Sequence, residues 1–96
     1  MADAAEQEQQ APGFTFTGDK STLVTFDVPE GVTHLARSSF IDCRALVTVN
    51  LRGVTDIGEG AFAGCHSLPS IDVSNVIDIG RWAFIDCRSL QSISLP

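Results

Sequence analysis

Basic side chains are scarce in this chain: six lysines and arginines face twelve aspartates and glutamates, for a formal charge of −6. That balance gives no electrostatic reason to approach a phosphate backbone or an anionic bilayer, so neither nucleic acid nor membrane is an expected partner. Long apolar runs are lacking as well, and none nears the roughly 18 residues needed to cross a bilayer. The start Met1-Ala2-Asp3-Ala4-Ala5-Glu6 has neither the basic residues nor the apolar core of a signal peptide. The expectation is a cytoplasmic location. Three cysteines are an odd number, and no Cys-x-x-Cys occurs, which excludes a fully paired disulfide scaffold. The only histidines, His34 and His66, lie near neither a Ser-x-Gly elbow nor a second ligand at metal spacing, so no catalytic residue, cofactor or metal site is expected.

What the chain does have is hydrophobic mass, 44% of its residues, arranged with a period. The cysteines stand at 43, 65 and 87, a spacing of 22. The same step superimposes Val32, Val54 and Val76; Leu35, Ile57 and Ile79; Phe40, Phe62 and Phe84; Leu46, Leu68 and Leu90; Val49, Ile71 and Ile93; and Leu51, Val73 and Leu95. Phe-Ile-Asp-Cys-Arg recurs verbatim at 40–44 and 84–88, and Leu23, Phe26 and Val28 begin a partial earlier copy. A unit this short cannot bury its own apolar face, so units must stack until each column becomes a continuous ridge.

The implied fold class is an α/β solenoid of about 3.5 coils, each with a short parallel strand and a short helical or bent segment. Leu46 to Leu51 and its copies have the alternation of a half-buried strand, and stacking would pair them in parallel. Gly58 to Cys65 is too rich in glycine for a long helix and is expected to form one helical turn or a bend. Ser39, Ala61 and Ala83, small in every copy, would let that bend lie close to the sheet.

The pattern Ile-Gly-x-x-Ala-Phe-x-x-Cys-x-x-Leu-x-x-Ile-x-Leu-Pro, complete at residues 79–96, resembles the BspA-type leucine-rich repeats. The resemblance spans residues 23–96. It implies a non-catalytic module that binds a protein or peptide on the solenoid surface, or alternatively a fragment of a cell-surface adhesin or antigen, which would place the chain at the cell surface. Where the general leucine-rich pattern puts a turn asparagine, this chain has Val54 and Val76, so the backbone of that turn must find other partners.

The expected organisation is a disordered acidic tail at 1–12, a cap with a partial repeat at 13–31, and repeats at 32–53, 54–75 and 76–96. The alternating Gly13 to Thr17 followed by the turn cluster Gly18-Asp19-Lys20 suggests a hairpin-like cap. At the other end Phe84, Leu90, Ile93 and Leu95 have no polar capping unit, which predicts a longer array, end-to-end self-association or a fraying last coil. Gly13-x-x-x-x-Gly18-Asp19-Lys20-Ser21 misses a phosphate loop by one inserted residue, and Asp19 would set a negative charge beside the phosphate.

Candidate partner-binding residues follow from column equivalence. Thr48, Ser70 and Ser92, with Thr25, form one outward row on the strands, and Asn50, Asp72 and Ser94, with Asp27, form the next. Arg44, His66 and Arg88 form a basic column suited to an acidic segment, while Arg37, Glu59 and Arg81 alternate in sign as an ion-pair ladder would. Trp82 stands where the earlier copies have Ser38 and Gly60, and is expected either at an interface or against a further coil. The cysteine column reads as small buried hydrophobes.

Overall fold

The structure is a computed structural model and describes residues 13–93. Among the described residues seven short strands occur, in the order β1 (Thr25–Asp27), β2 (His34–Leu35), β3 (Thr48–Asn50), β4 (Asp56–Ile57), β5 (Ser70–Ile71), β6 (Asp78–Ile79) and β7 (Ser92–Ile93). Each repeat unit thus supplies two strands, the expected one at the Val49 column and a second at the Ile57 column. All pairings are parallel and join residues 22 or 23 apart: Thr25 with Thr48, His34 with Asp56, Asp56 with Asp78, and Ser70 with Ser92. The period read from the sequence is therefore the register of the sheets.

One row, β2-β4-β6, is continuous, but the other is split into β1-β3 and β5-β7. Proline explains the split. Just before their strands, the Val47 N–H donates to the Val24 carbonyl (2.8 Å) and the Gln91 N–H to that of Pro69 (3.0 Å). The equivalent donor between β3 and β5 would be Pro69, which has no N–H.

Among the described residues there is no helix, so the helical half of the expected α/β class is corrected to turns. Ser38, Gly60 and Trp82, at equivalent positions, all have left-handed φ of 56°, 64° and 60°, and Asp42, Gly64 and Asp86 repeat this at 61°, 78° and 61°. Two left-handed residues four apart prevent a helix from propagating. They turn alternate N–H groups toward the next unit instead. The N–H groups of Ser38, Phe40 and Asp42 donate to the carbonyls of Glu59, Ala61 and Ala63 (2.9, 2.7 and 2.7 Å), and those of Gly60, Phe62 and Gly64 donate to Arg81, Ala83 and Ile85 (3.0, 2.8 and 2.9 Å).

The core runs between the strands and this turn segment. Phe40, Phe62, Cys43, Cys65, Leu46, Leu68 and Val54 are wholly buried, as are Ser39 and Ala61 beneath the bend. Phe40, Phe62 and Phe84 stack face to face, with centroids 5.1 and 5.6 Å apart and rings 1° from parallel in both pairs. In the third unit Phe84, Cys87, Leu90 and Ile93 are only partly covered.

The N-terminal cap is parallel, not a hairpin. Phe14 forms an isolated parallel bridge with Leu35, so the segment lies against the first unit as a further strand would. Its direction is set by the Phe14 and Phe16 rings, which pack on Phe26 and Phe40. The tail expected at 1–12 lies outside the described residues.

Candidate functional site

The strand row nominated for partner binding is exposed at Thr48, Asn50, Ser70 and Asp72. Two of these four have another task. Asn50 Oδ1 accepts from the Arg52 N–H (3.1 Å) and Asp72 Oδ1 from the Ser74 N–H (3.0 Å). These contacts, with the Val54 N–H on the Leu51 carbonyl and the Val76 N–H on that of Val73, satisfy the turn that lacks the usual asparagine. The Ser74 hydrogen bonds hold the Asp72 carboxyl below the ordinary carboxylate range. The extra stabilisation of the ionised carboxyl is therefore present at neutral pH and fades as pH falls through that depressed value. A hollow of about 520 Å³ lies along this row, between Asp27, Asn50 and Arg52 on one side and Asp72 and Asn75 on the other. Ser92 belongs to β7, whereas Ser94 lies outside the described residues.

The basic column is divided in its exposure: Arg44 and Arg88 are exposed and His66 is half-buried. Arg44 shares a hollow of about 590 Å³ with Lys20, Asp42 and Ser67. The alternating column forms one of its two expected contacts. Arg37 meets Glu59 at 3.7 Å, but the Arg81 guanidinium lies 5.4 Å above the Trp82 ring. The exposed pair is worth less than about 1 kcal/mol.

Trp82 is the most distinctive surface feature. It is 59% exposed, and its backbone is left-handed, at a position where the preceding unit has glycine. Beside it lies a groove of about 220 Å³ lined by Ile41, Ala63, Ile85, Gly60 and the Arg37–Glu59 pair. Ile85 is itself 47% exposed. Sequence reasoning nominated Trp82 but missed Ile41, Ala63 and Ile85. They occupy one column, and their apolar recurrence 22 residues apart was the available signal.

The three cysteines form no disulfide, with Cys43 and Cys65 buried and Cys87 partly so. The thiols of Cys65 and Cys87 donate to the carbonyls of Phe40 and Phe62 in the preceding unit (3.3 and 3.2 Å). Burial, with the neighbouring Cys43 and Cys87 thiols adding to it, pushes the Cys65 thiol up to about 12. Cys65 is accordingly expected to react slowest of the three with iodoacetamide in the folded state, and all three equally fast after unfolding. Because the folded value is raised, the protonated thiol favours folding. That advantage is fully present below the ordinary thiol value near 9 and is lost as pH rises toward 12. Rapid labelling of Cys65 in the native protein would contradict its burial.

The phosphate-loop near miss is a turn. Asp19 Oδ1 accepts from both the N–H (2.9 Å) and the Oγ (2.7 Å) of Ser21, which lowers the carboxyl's affinity for its proton and leaves an anion in the turn. No group of three His, Cys, Asp or Glu side chains among the described residues is placed to hold a metal ion.

No curated protein and no solved structure matches the chain. The family model of the BspA type leucine rich repeat region matches residues 11–96, in six copies. Repeats of this type are generally protein-interaction modules and are typically non-enzymatic. The parallel 22-residue register, the Phe and Cys columns and this match across residues 11–96 make the chain a member of the BspA-type leucine-rich repeat family.

Proposed function

We propose that the chain is a non-catalytic protein-binding module, a short leucine-rich-repeat solenoid that engages a protein or peptide through the Trp82 face. The observation that carries this reading is an exposed tryptophan held at φ 60°, with a small apolar groove at its side. The left-handed backbone belongs to the repeat's turn, since Ser38 has it at the equivalent position, so what sets Trp82 apart is a large indole left exposed where the other units have serine and glycine. Tryptophan is also the side chain most enriched among residues that dominate interface energetics. A partner suited to this face offers an apolar side chain to the space between Ile41, Ala63 and Ile85. The Arg37–Glu59 pair and Arg81 would form its polar rim.

The test uses the chain's single tryptophan as its own reporter. Peptides selected from a random displayed library on the folded protein are expected to shift the Trp82 emission to shorter wavelength. Trp82→Gly should weaken them by about 30-fold, the ~2 kcal/mol of a hot spot. The same substitution should leave folding stability unchanged or raise it by up to about 1 kcal/mol, because glycine accepts the left-handed backbone. Thr48→Glu, on the strand row, should leave the peptides' affinity unchanged. Peptides that tolerate Trp82→Gly but fail on Thr48→Glu would move the site to the strand row.

A further inference from the structure

Neighbouring units meet along three rows: the turn segment, the row β2-β4-β6, and the row that holds β1, β3, β5 and β7. Between the first and second units, hydrogen bonds join the first two of these rows. Ser38, Phe40 and Asp42 donate to the carbonyls of Glu59, Ala61 and Ala63, and the N–H groups of Thr55 and Asp56 both donate to that of Thr33 (2.8 and 3.1 Å). Along the third row β3 and β5 form no ladder.

The bonds that are missing can be named from the junction before it. Where β1 meets β3, the N–H groups of Val47 and Thr48 donate to the Val24 carbonyl (2.8 and 3.1 Å), and the Val28 N–H donates to the Asn50 carbonyl (2.9 Å). One junction further, the equivalents would run from Pro69 and Ser70 to the Val47 carbonyl, and from Leu51 to the Asp72 carbonyl. Proline has no N–H, and neither of the other two bonds forms. What crosses the junction there is a long side-chain contact, from Asn75 Nδ2 to the Arg52 carbonyl at 3.5 Å, together with the packing of Val49, Leu51, Ile71 and Val73 in the buried cluster. The hollow of about 520 Å³ lies at the same place, with Asn50 and Leu51 on one side and Asp72 and Asn75 on the other.

These two kinds of contact respond differently to movement. A hydrogen bond weakens steeply as its angle departs from the ideal, whereas apolar contact is non-directional and tolerates a change of spacing. A junction with hydrogen bonds on two rows and apolar contact on the third therefore bends about the bonded rows. We infer that the junction between the first and second units is a hinge that opens along the strand row, and that Pro69 is the residue that frees it. The break lies inside the array, with β1-β3 paired before it and β5-β7 paired after it. Thr48 and Asn50 stand on one side and Ser70 and Asp72 on the other, so the spacing of these exposed residues follows the state of the hinge. The hinge stands whether or not Trp82 binds a partner.

Hinge motions fall in the microsecond-to-millisecond range, which amide relaxation dispersion reads residue by residue. Dispersion is expected at Leu51, Ser70 and Asp72, with flat profiles at Leu35, Asp56 and Asp78 on the continuous row. Pro69→Val puts at this exposed position the residue that the first unit has at Val47, and returns the missing N–H. It should abolish the dispersion at Leu51 and Ser70 and slow their hydrogen exchange by about tenfold, the worth of one backbone hydrogen bond. Pro69→Ala, with a smaller side chain, should do the same. Flat profiles at Leu51 and Ser70 in the unaltered chain, dispersion spread equally over both strand rows, or dispersion that both Pro69 variants leave in place would each overturn the hinge.

Discussion

Replacing Phe62 with alanine is expected to lower the unfolding free energy by about 3–5 kcal/mol, the range for truncating a buried phenylalanine. Phe62 is wholly buried and is sandwiched between the rings of Phe40 and Phe84, so its removal opens a void between units on both sides. Because repeat units are stabilised chiefly by their neighbours, the loss uncouples the first unit from the third. Small domains have only about 5–15 kcal/mol in total, and the variant should be partly unfolded at room temperature. Phe84→Ala, which removes a ring stacked on one side and only partly covered, should cost distinctly less. Denaturant midpoints measured by circular dichroism decide the matter. Equal losses at Phe62 and Phe84 would mean that the rings are not stacked as described.

Gly58→Ala is expected to have the next largest effect, from overpacking. A Cβ at Gly58 would lie 2.6 Å from the Leu35 carbonyl oxygen, 2.7 Å from the Ala36 carbonyl carbon and 2.8 Å from the Arg37 nitrogen. All three are backbone atoms of the preceding unit, so no side-chain rotation relieves the clash and the units must part. The cost is about 1–3 kcal/mol or more, although alanine is otherwise the less flexible residue. Gly53 is the control. Nothing lies within 4 Å of a Cβ there, and Gly53→Ala should be neutral or stabilise by up to about 1 kcal/mol. Comparable midpoints for the two variants would exclude the close approach of units at the second strand row.

The stacking of units was legible in the sequence because it is set by columns of large apolar side chains. Phe40, Phe62 and Phe84 keep one chemistry in each copy, and a period needs no knowledge of local conformation to be seen. The turn segment was less legible. Its left-handed positions hold glycine only in the second unit, at Gly60 and Gly64, while serine, tryptophan and aspartate occupy them elsewhere. Inter-unit hydrogen bonds hold the turn there, through the N–H groups of Ser38 and Asp42 in the first unit and through the carbonyls of Arg81, Ala83 and Ile85 in the third, and no local propensity announces that. The second strand row escaped notice because two residues, such as Asp56 and Ile57, are too few to show an alternation. The roles of Asn50 and Asp72 were hidden for another reason: an exposed amide or carboxylate reads the same whether it awaits a ligand or closes a turn. Trp82 stood out by its difference from Ser38 and Gly60, but the groove beside it depends on a column whose members are unremarkable singly.

Each unit completes the backbone of the one before it, and amide hydrogen exchange read residue by residue is the sharpest check on this. The N–H groups of Phe40 and Phe62 donate across units at 2.7 and 2.8 Å, whereas that of Phe84, identical in local sequence role, finds no backbone acceptor among the described residues. Slow exchange at Phe40 and Phe62 with fast exchange at Phe84 is the predicted result. Exchange at Phe40 and Phe62 as fast as at Phe84 would show that the turn segments do not hydrogen-bond from unit to unit.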